Sequence, residues 1–321
     1  MDASPRRLSL FLPDPGNEFV RAIAADAKEA ARRHQFKLTV HSSENRAVEQ
    51  IQQIFNVVHA PENERPHAVL VMPVNDRSLE RAVRAALGSG IAWICLHRPT
   101  GDLDALRREY PAVPIALVSP VQEEIGRIHG RQVRAMFPSG GGVLYVHGRG
   151  DNRSTAQRTT GFQEVLGGGN VAITDSIDGN WSATDTERAV GRWLQLLAAH
   201  AKVDAVVCQN DAMALGALQA LRAAARELER PALATIPVIG CDGLPNVGRR
   251  LVDEGQLAAT ITLPMPGSVA IGLVADAYDK GTLPPPQVWL QPKPYPENPR
   301  ADGPRRAAGS TTDPATPPLL G

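Results

Sequence analysis

The chain has 321 residues, which is enough for two domains of ordinary size that each bury a core of their own. Lysine and arginine together number 34, and so do aspartate and glutamate. This balance argues against nucleic acid as the main partner, because phosphate binding requires a basic excess. No apolar run approaches the roughly 20 residues that cross a bilayer, so we predict no membrane insertion.

The first apolar stretch, 8–12, follows a short charged segment at the start of the chain. It is too short for the apolar region of a signal peptide, and no small-residue cleavage site follows it. On this pattern alone we expect the protein to stay in the cytoplasm.

The three cysteines, Cys95, Cys208 and Cys241, lie far apart in the sequence. They lack the paired spacing of zinc or redox sites, and a free cysteine packs as a small apolar side chain. We therefore expect three buried thiols, and we predict neither a metal nor a cofactor.

The first part of the chain alternates short apolar blocks with segments of helical periodicity. Asn17 is suited to cap the first helix, and Gly88 ends another. The pattern predicts strands at 8–12, 36–40, 68–72, 91–96 and 115–118, and helices after Asn17, at 48–58 and at 79–87. This rhythm is typical of a parallel sheet with right-handed crossovers.

The same rhythm begins again after Ser119 and Pro120. It predicts strands at 143–146, 171–174, 205–208, 236–240, 257–262 and 287–291, and helices ending at 137, at 156–166, at 184–200, after 210, at 247–254 and ending at 278. Two such series predict an α/β protein with two doubly wound, Rossmann-like lobes. From 292 onward the chain loses periodicity, and we expect 296–321 to be a disordered tail.

One strand-to-helix unit, 203–225, is especially clear. A β-branched block at 205–208 turns directly into a helix, and Asp211 is suited to cap it. Asn210 then lies beyond the carboxyl end of a parallel strand, where small ligands bind in open α/β sheets. Its amide either contacts a hydroxylated ligand or simply closes the turn, and local sequence favours neither.

Enzyme signatures are mostly missing from the chain. There is no nucleophile elbow, no zinc-protease helix and no phosphate loop. The segment 148–153 follows a strand, but Arg153 stands where a dinucleotide fold needs its third glycine. We therefore predict no catalytic residue. An enzyme is the least favoured alternative, and His97 would be its candidate base.

Polar and aromatic side chains follow the ends of six predicted strands. They are Asn17, Phe19, His97, Arg98, Arg158, Trp181, Asn210 and Asp242. Guanidinium, carboxylate and amide groups hydrogen-bond hydroxyl pairs, and a flat ring can stack on the C–H face of a sugar. Arg98 and Arg158 could instead be exposed charges, Asp242 a turn former and Trp181 a packing residue between the lobes. Together, however, the eight residues predict a cleft for a small polyol.

The chain resembles the type 1 periplasmic binding proteins, in particular the ribose-binding-protein-like binders of sugar ABC transporters. The motifs that carry the resemblance are 209–218, 238–245, 257–261, 158–162 and, more loosely, 17–19. It implies lobes formed by 1–118 with 263–285 and by 121–262 with 286–295, joined by hinges near Ser119-Pro120, Leu263 and Pro286. It also assigns ligand contacts to Asn17, Phe19, Arg98, Arg158, Trp181, Asn210 and Asp242.

The sequence departs from that family pattern at several positions. His97 stands where ribose-type relatives have an aspartate, and Met72, Leu263 and Val20 replace an asparagine, a glutamine and a phenylalanine. Losing that carboxylate leaves two arginines facing chiefly Asp242. Because uncompensated buried charge is costly, we expect a sugar acid or related polar metabolite rather than ribose.

The resemblance implies a non-enzymatic, monomeric sugar-binding component of an ABC-type importer, located in the periplasm or cell envelope, with a permease as its partner. The expected cytoplasmic location leaves an alternative open. In that alternative, a cytoplasmic ligand sensor of the same fold acts through a protein partner, since no helix-turn-helix precedes Leu8.

Overall fold

Two parallel β-sheets, each covered by helices on both faces, organise the chain. The structure is a computed structural model that describes residues 5–75, 79–197 and 203–299. The predicted end of the helix at 200 and most of the predicted tail, from 300 onward, lie outside the described residues. The prediction of an α/β fold with two doubly wound lobes is confirmed.

The N-terminal lobe is built on a six-stranded sheet. Its first elements are β1 (Arg7–Leu12), α1 (Glu18–Arg33), β2 (Lys37–Ser42), α2 (Ala47–Val58), β3 (Ala68–Val71), α3 (Glu80–Gly88), β4 (Ala92–Leu96), α4 (Leu103–Glu109) and β5 (Ile115–Pro120). These strands pair in the order β2-β1-β3-β4-β5, all in parallel. Every residue of β3, β4 and β5 is buried, which is why these strands read as unbroken apolar blocks in the sequence.

The C-terminal lobe repeats this plan on a smaller sheet. Its elements are α5 (Gln122–Met136), β6 (Gly141–His147), α6 (Arg153–Leu166), β7 (Val171–Asp178), α7 (Ala183–Leu197), β8 (Ala205–Cys208), α8 (Asp211–Glu227), β9 (Val238–Ile239), α9 (Arg250–Asp253) and β10 (Thr260–Thr262). The strands pair in the order β7-β6-β8-β9, and single bridges join β10 to the β9 side. All strand ends of this sheet that carry predicted ligand residues therefore meet at one edge.

The last elements return to both lobes. They are α10 (Pro266–Lys280), β11 (Gln287–Leu290) and β12 (Lys293–Tyr295). Helix α10 packs against α1, β11 pairs in parallel with β5, and β12 pairs antiparallel with β10. The expected assignment of 286–295 to the C-terminal lobe therefore needs correction, because β11 belongs to the N-terminal sheet.

The chain crosses between the lobes three times. The crossings follow β5 at Pro120, β10 at Leu263 and β11 at Leu290, so the third lies beyond the expected hinge at Pro286. The first and third run side by side, since the Val121 amide donates to the Leu290 carbonyl at 3.1 Å. Helix α10 leads from β10 in the C-terminal lobe to β11, which pairs with β5 at the edge of the N-terminal sheet. The residues of β11 did not indicate this pairing.

Some local predictions differ from the structure. Helix α4 and strand β12 are short and were not predicted, because seven and three residues carry too little periodicity. The predicted helix at 247–254 is a π-type turn, Pro245–Arg249, followed by the single turn of α9. The strand predicted at 236–240 narrows to two residues in β9.

Helices α5 and α6 approach each other at backbone distance. A Cβ atom on Gly126 would lie 2.0 Å from the Arg158 carbonyl oxygen, and one on Gly161 would lie 1.9 Å from the Glu123 carbonyl oxygen. Glycine is required at both positions because no side chain fits between the two backbones. This contact fixes the part of α6 that carries Arg158.

Replacing Gly161 with alanine should therefore destabilise the protein. We expect Gly161→Ala to lower the free energy of unfolding by about 1–3 kcal/mol, since the helices must separate to admit the methyl group. Gly191→Ala in α7 is the matched control, because a Cβ there meets nothing within 4 Å. It should be neutral or stabilise by up to about 1 kcal/mol. Equal effects of the two variants in urea unfolding would contradict this close contact.

Candidate functional site

A cavity of about 240 Å³ lies between the two lobes. All eight predicted ligand residues line it: Asn17, Phe19, His97, Arg98, Arg158, Trp181, Asn210 and Asp242. The structure thus brings together, in one place, side chains that are up to 225 positions apart in the sequence.

The N-terminus of α1 forms one wall. The Asn17 side-chain oxygen accepts the Phe19 amide at 2.9 Å and the Val20 amide at 3.2 Å, so it caps the helix as predicted. Its Nδ2 is therefore the group available to a ligand. The Phe19 ring is buried and meets the His97 ring edge-on, with centroids 5.4 Å apart.

His97 and Arg98 follow β4 on the same lobe. His97 has a left-handed φ of 65°, and its carbonyl accepts the Ser119 hydroxyl at 2.8 Å. Burial lowers the pKa of His97 to about 3, with smaller contributions from the charges of Arg158 and Arg98. The ring is therefore neutral at physiological pH. The Arg98 side chain is also buried, and its Nη2 donates to the Pro73 carbonyl.

Arg158 forms the centre of the opposite wall. It is 4% exposed, so its interpretation as an exposed helix charge is wrong. Its Nε donates to Gln122 Oε1 at 2.8 Å, and its Nη1 donates to the Gln209 carbonyl at 2.5 Å. Nη2 makes no hydrogen bond within the described residues, which leaves this donor for a ligand.

Trp181 lies beside Arg158, whose guanidinium carbon is 5.4 Å from the centre of the indole ring. A Cβ on Gly148 would lie 2.0 Å from the indole, so Gly148 lets the ring approach the end of β6. This packing explains why residue 148, the first glycine of the segment 148–153, has no side chain. One face of the indole lies under the guanidinium, which is a cation–π contact.

Asn210, not Asp211, caps helix α8. Asn210 has an extended backbone, and its Oδ1 accepts the Met213 amide at 2.8 Å. The expected cap at Asp211 is wrong because the helix begins at that residue and its carboxylate turns into the protein. Asn210 Nδ2 lies 3.5 Å from the Trp181 carbonyl, so both interpretations of Asn210 have a part: its oxygen closes the turn and its amide nitrogen lines the cavity.

Asp242 supplies a carboxylate to the cavity. It is 8% exposed and follows β9 with a left-handed φ of 117°. No hydrogen bond from a described residue reaches its carboxylate. Burial and the nearby charge of Asp211 raise the pKa of Asp242 well above its usual range, and Arg158 partly opposes this shift. The carboxylate is therefore an acceptor that a ligand hydroxyl in the cavity can satisfy.

Further polar residues at the cavity rim escaped the sequence reasoning. Three of them are charged: Asp14, Arg149 and Asp185. Asn45, Asn152, Ser154, Asn180 and Ser182 also line the cavity. Each follows β1, β2, β6 or β7, so the strand-end rule would have found them if it had been applied a few residues further along each loop.

The charges of the lining balance, with three aspartates and three arginines. They are Asp14, Asp185, Asp242, Arg98, Arg149 and Arg158. A histidine with a pKa near 3 is a weak general base at neutral pH, which disfavours the enzyme alternative. Within 5–75, 79–197 and 203–299, no cluster of three or more potential metal ligands occurs. In the same ranges no helix has the length and apolar character that a bilayer crossing requires.

Comparisons with known proteins place this geometry in a family. A family model described as a periplasmic binding protein domain matches residues 8–280. The ribose import binding protein RbsB of Salmonella typhimurium is 26% identical over 276 residues, which cover 85% of each chain. The xylitol-binding protein of Mycolicibacterium smegmatis is 25% identical over 253 residues, which cover 78% of this chain and 66% of that protein.

The solved structures agree with the fold. The structure of a Caulobacter myo-inositol binding protein bound to myo-inositol has a TM-score of 0.77 to this chain, with 21% identity. The match covers 92% of this chain and 94% of the myo-inositol binding protein. Since the family model spans most of the sequence, the chain belongs to the periplasmic binding proteins, which are two-lobed, non-enzymatic binders of solutes.

Proposed function

We propose that this protein binds one small, neutral polyhydroxylated molecule, a monosaccharide or polyol, between its lobes and delivers it to an ABC-type importer. The observation that carries the proposal is the cavity itself. Two buried groups in it, the Asp242 carboxylate and Arg158 Nη2, make no hydrogen bond within the described residues. Ligand hydroxyls both donate and accept, so one hydroxylated molecule can satisfy these two groups together.

The relatives support this ligand class. Two of the relatives that match over most of the chain are named for ribose import and xylitol binding, and a similar structure holds myo-inositol. These three ligands are uncharged and rich in hydroxyl groups. Relatives that are import binding proteins do not favour the alternative of a cytoplasmic sensor. By the same relationship we place this protein in the periplasm or cell envelope, as a monomer with a permease partner.

The charge of the cavity leads us to prefer a neutral ligand to a sugar acid. The expectation of a sugar acid counted two arginines against Asp242 alone. Asp14 and Asp185 also line the cavity, while Arg149 adds one more cation, so the lining is balanced without a ligand charge once Asp242 is ionised, as it is when it accepts from a ligand hydroxyl. An anionic ligand would leave one negative charge without compensation in a partly desolvated site.

Lobe closure is the mechanism that the geometry supports. Asn17, Phe19 and His97 belong to one lobe, whereas Arg158 and Asp242 belong to the other. A ligand that contacts both sets stabilises the closed arrangement over any open one by the contacts that only closure provides. The three crossings between the lobes are the segments about which such a movement takes place.

Calorimetric titration with matched neutral and anionic compounds tests the ligand class. We expect one of D-ribose, D-allose, xylitol or myo-inositol to bind with 1:1 stoichiometry, because each supplies several hydroxyls to the cavity. The acids D-ribonate and D-glucuronate should bind at least tenfold more weakly than the best neutral compound. If an acid binds more tightly than all neutral compounds, the ligand is a sugar acid.

The carboxylate of Asp242 should be required for affinity. We expect Asp242→Asn to weaken binding of the best polyol by about 2–3 kcal/mol, since ligand hydroxyls lose a charged acceptor. Asparagine tolerates the left-handed backbone, so the fold should persist. Asp253→Asn, on the exposed part of α9, is the control and should leave affinity unchanged. A wild-type Kd for Asp242→Asn would show that Asp242 only forms the turn.

A further inference from the structure

The carboxylate of Asp211 is buried close to Asp242 and does not line the cavity. Its Oδ1 accepts the Thr260 hydroxyl at 2.7 Å, and its Oδ2 accepts the Gly243 amide at 2.8 Å. Its own backbone amide donates to the Cys241 carbonyl at 2.6 Å. Asp211 therefore holds the chain on both sides of Asp242.

The loop 240–248 is wrapped closely around this carboxylate. A Cβ on Gly240 would lie 2.2 Å from Asp211 Oδ1, and one on Gly248 would lie 1.9 Å from Asp211 Oδ2. Gly243 approaches near enough to donate its amide, with a left-handed φ of 58°. Gly240 and Gly248 thus have one shared reason, which is the volume that the Asp211 carboxylate occupies, whereas a Cβ on Gly243 would lie 2.6 Å from Thr262 Cα.

Asp242 lies in the middle of this loop and depends on it. Its backbone amide donates to the Ile261 carbonyl at 3.0 Å, and its carbonyl accepts the Leu263 amide at 3.2 Å. These bonds fix one side of the residue, and the Gly243 amide bonded to Asp211 fixes the other. The left-handed conformation of Asp242 is held by neighbours in this way because an aspartate rarely adopts it unaided.

The two carboxylates also interact through their charges. Burial raises the pKa of Asp211 to about 7, and the charge of Asp211 contributes to the raised pKa of Asp242. Two buried carboxyl groups so close together hold a proton more readily than either would alone.

Few other titratable groups face this pair. They are Arg158 of α6, His129 of α5, Cys208 at the end of β8 and Cys241 beside Asp242. His129 has a pKa lowered to about 4, and both thiols have raised pKa values, so all three are neutral near pH 7. Arg158 is thus the charged group that opposes proton binding by Asp242.

We propose that Asp211 is a positioning residue for Asp242, and that this carboxyl pair couples ligand binding to the release of a proton. The inference rests on the proposed function of the cavity. A ligand hydroxyl that donates to Asp242 favours the ionised form, so the proton leaves the pair for the solvent when the ligand binds. Affinity must then decrease as the pH falls, because protons compete with the ligand.

Calorimetry with D-ribose, D-allose, xylitol and myo-inositol at pH 8, 7 and 6 tests this coupling. For each compound that the wild-type protein binds, we expect Kd to rise at least fivefold from pH 8 to pH 6. The binding enthalpy observed at pH 7 should differ between phosphate and Tris buffers, because each buffer takes up the released proton with a different heat of ionisation. Asp211→Asn should bind about tenfold more weakly at pH 8, because the loop is less well held. Its Kd should rise less from pH 8 to pH 6 than that of the wild type, because burial alone then raises the pKa of Asp242.

Asp204→Asn is the matched control. Asp204 Oδ2 also accepts a backbone amide, from Gly142 at 2.8 Å, but at the opposite end of the same sheet. This variant should keep both the affinity and the pH dependence of the wild type. Should Asp211→Asn fail to fold, Thr260→Val replaces it. Removing the Thr260 hydroxyl favours the neutral Asp211, so Asp242 stays ionised more easily and the loss of affinity should begin at a lower pH than in the wild type.

Two results would overturn the inference alone. One is a wild-type Kd that is constant from pH 8 to pH 6 with no proton release, and the other is a pH dependence unchanged in Asp211→Asn. If the wild-type protein binds none of the four compounds at any pH, the proposed function fails, and this inference fails with it.

Discussion

The buried guanidinium of Arg158 is the group on which the site and the C-terminal lobe depend together. A charge in this position is tolerable only when hydrogen bonds replace its water, and Gln122 and the Gln209 carbonyl supply two of them. Gln122 opens α5 directly after the first crossing between the lobes, and Gln209 directly follows β8. These bonds require α5, α6 and β8 to converge, and the glycine contact between α5 and α6 makes that convergence possible.

The location of the site could be predicted from the sequence because parallel strands end at one edge. Eight residues chosen for lying beyond strand ends all line the same cavity, although local sequence gave each an ordinary alternative. What could not be predicted is how each side chain divides its hydrogen bonds. Asn17 and Asn210 each give an oxygen to a helix and keep a nitrogen for the cavity, which depends on where the helix begins.

The lobes could be predicted less completely than the elements. Buried parallel strands can be recognised in the sequence as apolar blocks, but the residues of a strand do not indicate which other strand it pairs with. Strand β11 alternates exposed and half-buried residues, as an edge strand does, and nothing in those four residues distinguishes the edge beside β5 from an edge in the other lobe. Likewise, the charge of the cavity follows from the rim residues, whose place depends on loop conformation.

In the proposed function, ligand binding and lobe closure are linked by the same desolvation. His97, Arg158 and Asp242 are each less than a tenth exposed, and Arg158 and Asp242 offer groups that no described residue satisfies. Closing without a ligand therefore removes these groups from water at a cost that no protein contact offsets. A hydroxylated ligand supplies the missing partners from both directions at once. The unsatisfied polar groups thus favour opening in the absence of a ligand and closure in its presence.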